Sequence, residues 1–291
     1  MAPLAVGLAL LSALVHAGWN VLARARGGGS ALLRVPAVTT ALGIVPALLI
    51  QHWVAPFSGQ VWFLLALSGL FQAWYHTGLT FGYRTGDFTL VYPLARALPV
   101  LAIALVDVAR GRAPTLVAWC GMGLVVLGCA IIPHTSLRTL RFAAYRNRAI
   151  PWIAVTALAT VGYSTVDKLA AEQITLGPLG AANYYIWQMT LTVLPLALLL
   201  RLLGQPTGLE RWRTGWKWPA LVAAGVFTSY WLILWAYQIS SRVSYVVALR
   251  QFSIVVGVAL GALLFKEPAP GLRIGASLLI VAGMICIVVG G

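Results

Sequence analysis

Apolar stretches long enough to cross a bilayer recur about ten times along 291 residues, and most links between them are short. A helix needs roughly 20 residues to span the hydrocarbon. Candidate spans therefore fall at 3–23, 31–51, 60–82, 87–108, 114–132, 150–171, 179–201, 217–237, 244–264 and 271–289. Little chain is left over for a soluble domain. The spans are long continuous runs rather than short alternating ones, which argues for helices and against a barrel. Composition agrees: 60% of residues are hydrophobic and 9% charged, and the mean hydropathy is +0.89, whereas a soluble domain carries about 25% charged residues.

The net charge of +14 would suit a nucleic-acid partner if the basic residues formed a patch. They sit mostly at span ends and in links, where they read as topology signals, so the expected partners are the lipid bilayer and a small molecule. Cys120, Cys129 and Cys286 lie in separate apolar segments, which points to neither a disulfide nor a metal site. Leu4 to Val15 has the length of a signal-peptide core but lacks a basic start and a cleavage site, so it reads as a retained first helix.

The basic stretch Arg138, Arg141, Arg146 and Arg148 divides five spans from five. This predicts a first repeat over 1–135, a basic central linker over 136–149 and a second repeat over 150–291. His16-Ala17-Gly18-Trp19-Asn20 matches Thr160-Val161-Gly162-Tyr163-Ser164 in spacing and residue class, and Gly69-Leu70-Phe71 matches Gly225-Val226-Phe227. Arg96 and Arg250 lie at comparable depths in the fourth and ninth spans, a match with weight because charge is costly at the midplane. Five spans per half turn the second repeat upside down. The fold expected is thus an all-α integral membrane protein with ten transmembrane helices in two inverted five-helix repeats, the usual frame of a secondary transporter.

Links after odd-numbered spans hold most of the basic charge, including Arg24, Arg26, Arg34, Arg84, Arg211, Arg213, Lys217, Lys266 and Arg273; those after even-numbered spans hold little beyond Arg110, Arg112 and Arg242. The positive-inside rule then places the odd links in the cytoplasm and both termini outside.

Together, the ten spans, His16-Ala17-Gly18-Trp19-Asn20 in the first helix, Pro93 and Pro99 around Arg96 in the fourth, and Leu263-Leu264-Phe265-Lys266-Glu267-Pro268 ending the ninth resemble the drug/metabolite transporter superfamily in its EamA-type branch. The resemblance covers essentially the whole chain. The equivalent place in the first half, Ala109-Arg110-Gly111-Arg112-Ala113-Pro114, lacks the Glu. What the resemblance implies is a transporter of small metabolites such as amino acids, often outward, in the cytoplasmic (inner) membrane; it does not name the cargo.

For the site, Arg96 and Arg250 suggest a paired cationic locus for a carboxylate, phosphate or sulfonate, the alternative being structural pairing with Asp87, Asp107 or helix-end carbonyls. Gln72, Tyr75, His76, Leu79 and Tyr83 form one stripe of the third span, and Phe227, Trp231 and Trp235 form another in the eighth. Trp19, Tyr163 and Tyr184 extend the aromatic set, and such surfaces line solute cavities or simply pack. Asn20 is positioned either to contact solute or to brace helices. Asp167, four residues after Tyr163, is the candidate proton carrier, with an interfacial ion pair as its alternative reading. No HExxH, Ser/His/Asp, paired-Asp or GxxxxGK[ST] pattern is present, so neither an enzyme nor an ATP-driven pump is expected, and no cofactor or metal. The solute favoured is anionic or zwitterionic, with a quaternary amine or cationic drug as runner-up. Gly257 and Gly261 form a small-xxx-small pair whose expected role is packing within a monomer rather than a dimer face.

Overall fold

The computed structural model describes residues 1–25, 33–85, 88–132, 134, 148–207, 215–265 and 271–291, without the side chains of 21–25, 83–85, 88–94 and 265. The side chain of Tyr83, and Asp87, Lys266 and Glu267 together with linker residues 136–147, lie outside what is described. Among the described residues the chain is all helical: α1 (Pro3–Ala25), α2 (Arg34–Trp53), α3 (Gly59–Thr85), α4 (Phe88–Ala109), α5 (Leu116–Ile131), α6 (Ile150–Ala171), α7 (Pro178–Leu202), α8 (Lys217–Ile239), α9 (Val243–Arg250), α10 (Phe252–Phe265) and α11 (Gly271–Gly290). Six spans within them are long and apolar enough to cross a membrane: Pro3–Asn20, Arg34–Trp53, Pro178–Leu202, Lys217–Ile239, Val243–Leu264 and Gly271–Gly290.

The ninth span is one apolar run in sequence but two helices in space. At Gln251 the regular ladder gives way to tighter bonds, Gln251 N–H to Ala248 O at 3.0 Å and Ile254 N–H to Gln251 O at 2.8 Å. The Gln251 amide satisfies the disturbed backbone by donating to Val247 O at 3.1 Å and to Arg96 O of α4 at 3.2 Å. Broken helices survive at membrane depth only where such partners exist.

Helix α1 packs on α8, α9 and α10; α3 on α6 and α7; α2 on α7 and α8; α4 on α5, α6 and α9; and α5 on α11. Lipid offers apolar side chains no contrast in polarity, so close backbone approach through small residues must supply much of the cohesion. The α5–α11 seam shows this directly. A Cβ at Gly121 would stand 2.5 Å from Gly283 O, and one at Gly128 would stand 2.7 Å from Ala276 O. Thr115 closes the seam, accepting from Ala118 N–H at 3.2 Å to cap α5 and donating to Gly290 O at 2.6 Å.

Candidate functional site

A cavity of about 110 Å³ lies between the helices, toward the end at which α2 and α8 begin. Helix α3 contributes Gln72, Tyr75, His76 and Leu79, as its 3.6-residue stripe requires. Helix α8 contributes Trp218, Val222, Val226 and Tyr230, spaced by four. His16 and Trp19 come from α1, Val35 from α2, Tyr163 from α6, Tyr185 and Met189 from α7, and Arg250 from the end of α9. Gly225 lets α1 come close, since a Cβ there would meet Trp19 Cβ at 2.6 Å.

The cationic part of the wall is built around an imidazole. Arg96 Nη1 is 2.8 Å from His16 Nε2, and Arg250 Nη2 is 3.5 Å from His16 Nδ1. Neutral histidine has one ring lone pair, so it can accept from only one of these guanidiniums. The shorter contact makes Arg96 the donor, and Arg96 Nε also donates to Gln251 Oε1 at 3.0 Å. Arg250 is left with the face of Tyr230, 5.1 Å from the ring centroid, while its buried Nε has no hydrogen-bond partner. Among the described residues Arg250 forms no ion pair.

Behind the wall Asp167 is fully buried. Its Oδ1 accepts from Ser68 at 2.5 Å, Tyr184 at 2.9 Å and Gln188 at 2.9 Å. Its Oδ2 accepts from Gln188 at 2.8 Å and from the Tyr230 hydroxyl. These donors, from α3, α7 and α8, fill a carboxylate's acceptor capacity. Among the described residues Asp167 pairs with neither Lys168 nor an arginine, in contrast to the interfacial ion pair that sequence alone allows. Lys168 turns the other way, donating to Tyr237 O at 2.5 Å and Ser240 O at 2.6 Å.

That opposite end of the molecule carries a cluster of ion pairs. Glu172 pairs with Arg110 at 2.9 Å, with Lys168 at 3.2 Å and with Arg112. Arg112 Nη1 donates to Ser241 O at 3.1 Å, and Arg242 Nε donates to Arg112 O at 3.0 Å. These bonds join the α4–α5 turn to the end of α6 and to the α8–α9 turn. Partial burial pushes the Glu172 carboxyl up, but the Arg112 hydrogen bond and the Lys168 and Arg110 charges outweigh it and hold it below the usual carboxylate range.

The predicted residues separate accordingly. Trp19, Tyr75, His76, Tyr163 and Arg250 share the cavity wall, and Arg96 stands one contact behind it. Tyr184 is buried on Asp167, and Asn20 turns its amide to His16 O within α1 at 2.7 Å. Trp231 and Trp235 are not on the wall: Trp231 donates to Pro178 O at 2.7 Å and stacks between Phe227 and Trp235. Their stripe is one residue, about 100°, round the helix from the Val226–Tyr230 face. Asp107, proposed as a partner for Arg96, instead accepts from Val243 N–H at 3.2 Å and Ser244 N–H at 2.9 Å, capping α9 from α4. Sequence reasoning missed Tyr230 and Gln251. Tyr230 carries a signal in hindsight, because it falls in register with Val222 and Val226.

No family model matches the chain, and no curated protein matches it. A solved crystal structure of another protein is similar over nearly the full length, with a TM-score of 0.70 across 98% of this chain and 97% of that one at 19% identity. At that identity the likeness shows the fold, which is that of an all-α, multi-pass membrane protein.

Proposed function

We propose that this protein is a secondary transporter, without chemistry on its cargo, that moves a small anionic or zwitterionic organic solute outward across the cytoplasmic membrane. The observation that carries this reading is Arg250: a guanidinium at a cavity wall, with one buried N–H unpartnered and no carboxylate paired to it among the described residues. Such a charge must be offset, and a solute carboxylate offers a bidentate partner. The EamA-type resemblance points the same way.

Alternating access by two inverted repeats is part of the proposal. It is supported by the helix contacts: exchanging α1–α5 for α6, α7, α8, α9–α10 and α11 turns the α3–α6 contact into α8–α1, and α3–α7 into α8–α2, while α2–α7, α4–α9 and α5–α11 map onto themselves. With the basic links in the cytoplasm the cavity loads from inside and the Glu172 cluster seals the outside, as export requires. Asp167, joined to the wall through Tyr230, is the proposed proton carrier.

The test is an uptake screen in proteoliposomes covering neutral, acidic and cationic amino acids, organic phosphates and quaternary amines, repeated with Arg250→Gln and Arg96→Gln. Selective loss of anionic and zwitterionic cargo is expected. Unchanged transport of that cargo in both variants would reject the electrostatic site, and uptake of cations alone would replace it with the aromatic-box reading.

A further inference from the structure

Resting on the transporter reading above, we propose that the cavity selects a compact organic monoanion with an apolar or aromatic body, and discriminates against the α-amino zwitterion of the same shape.

A zwitterion brings two charges into the cavity, and each needs a partner once water is left behind. The wall can meet the negative one. Arg250 supplies the charge, and three further wall residues, Trp19, His76 and Tyr185, have a buried indole N–H, a buried ring nitrogen and a buried hydroxyl with no hydrogen-bond partner; the last two can lend a lone pair to an ammonium but no counter-charge. Indole nitrogen and guanidinium nitrogen are donors only, so what they lack is an acceptor.

The wall cannot meet the positive charge equally. Among the described lining residues there is neither Asp nor Glu. The carboxylate nearest in connection, Asp167, is reached only through Tyr230, and its two oxygens are already taken by Ser68, Tyr184, Gln188 and Tyr230. The face of Tyr230 is occupied by Arg250, so an ammonium is left with the other aromatic rings of the wall, whose attraction is weaker than that of a carboxylate partner. An ammonium here would also share the site with two guanidiniums gathered on His16, and like charges in a desolvated pocket select against a ligand.

The rest of the wall specifies the body. Leu79, Met189, Val222 and Val226 offer no polar contact, and the volume of about 110 Å³ is smaller than the ~150 Å³ apolar cavity that accepts benzene. The body is therefore no larger than a short branched chain or a single ring, with the carboxylate held at Arg250.

Four probes that share a benzyl skeleton and differ in charge test this: phenylacetate, phenylglycine, benzylamine and benzyl alcohol, each titrated calorimetrically into the full chain in nanodiscs. Phenylacetate should bind about tenfold or more tightly than phenylglycine, with benzylamine weakest. Arg250→Gln should remove that preference by weakening phenylacetate at least about tenfold, and Arg250→Lys should restore part of it, with helicity and monodispersity confirming the fold. If Arg250→Gln does not fold, Trp19→Phe serves: it removes one donor and should weaken phenylacetate but not benzyl alcohol. Equal or tighter phenylglycine binding overturns the monoanion inference and leaves the broader transporter reading standing. Binding of benzylamine alone overturns the monoanion inference and the anionic site together, in favour of the aromatic-box reading. No binding of any probe to folded protein overturns the inference, while the uptake screen decides the transporter reading separately.

Discussion

Arg250 rests its guanidinium on the ring of Tyr230, 5.1 Å from the centroid, and the hydroxyl of the same ring donates to the buried carboxylate of Asp167. One side chain therefore touches the cavity's cation with its face and the protein's buried anion with its tip. Removing the hydroxyl separates the two roles. Tyr230→Phe keeps the ring but leaves Asp167 one donor short, a loss of roughly 1–3 kcal/mol. It should lower the thermal midpoint in detergent while changing phenylacetate affinity little. Tyr230→Ala, which removes ring and hydroxyl together, should lose both stability and binding.

The ion-paired end depends on Glu172. Glu172→Gln deprives the buried Lys168 and the two arginines of their counter-ion, so a cysteine placed at exposed Ser241 should react faster with a maleimide in the variant. The pH dependence has a definite sign. Because the folded carboxyl is held low, the cluster is intact from neutrality down through the usual carboxylate range and is lost only as pH falls through the lowered value. Labelling expressed relative to a free-thiol standard at the same pH, which removes the thiolate's own titration, should stay slow down to that point and then rise, and Glu172→Gln should abolish that relative dependence.

Two glycines two residues apart in α5 should behave oppositely. A Cβ at Gly121 would strike Gly283 O, whereas one at Gly123 meets nothing within 4 Å. Gly121→Ala should cost about 1–3 kcal/mol by forcing α5 from α11, read as a lower thermal midpoint. Gly123→Ala should be neutral or slightly stabilising, since alanine is the better helix former.

Asp107 acts as a cap supplied by another helix. Its carboxylate holds two backbone N–H groups at the start of α9 and accepts from the Ser244 hydroxyl at 2.6 Å. Asp107→Ala should cost about 1–2 kcal/mol, and because α9 ends at Arg250 it should also weaken phenylacetate binding. Asp107→Asn, which keeps an acceptor, should recover part of both in the same thermal and calorimetric measurements.

Membrane residence was legible from the chain alone because spanning is a local property. Unbroken apolar length, with backbone polar groups that a helix satisfies within a single segment in lipid, leaves few alternatives. Arg96 and Arg250 stood out for a related reason, since a midspan charge is costly wherever its helix faces. The α3 stripe was readable too, because its polar and aromatic residues occupy one side of the helix and mark the side that is not lipid-facing.

What sequence periodicity lacks is the angle at which each stripe meets its neighbours. On α8 the aromatic stripe Phe227, Trp231 and Trp235 and the cavity stripe Val222, Val226 and Tyr230 are adjacent, and only packing against α1, α6 and α7 decides which one lines the hollow. The same is true of Asp167, whose donors come from three other helices, and of Gln251, whose amide finds Arg96 across 155 positions of chain. The break in the ninth span has no proline or glycine at Gln251 to announce it. Length and hydropathy fall along one chain and can be read there. Partner identity, cavity shape and the break at Gln251 depend on where several helices meet, and tertiary packing alone determined them.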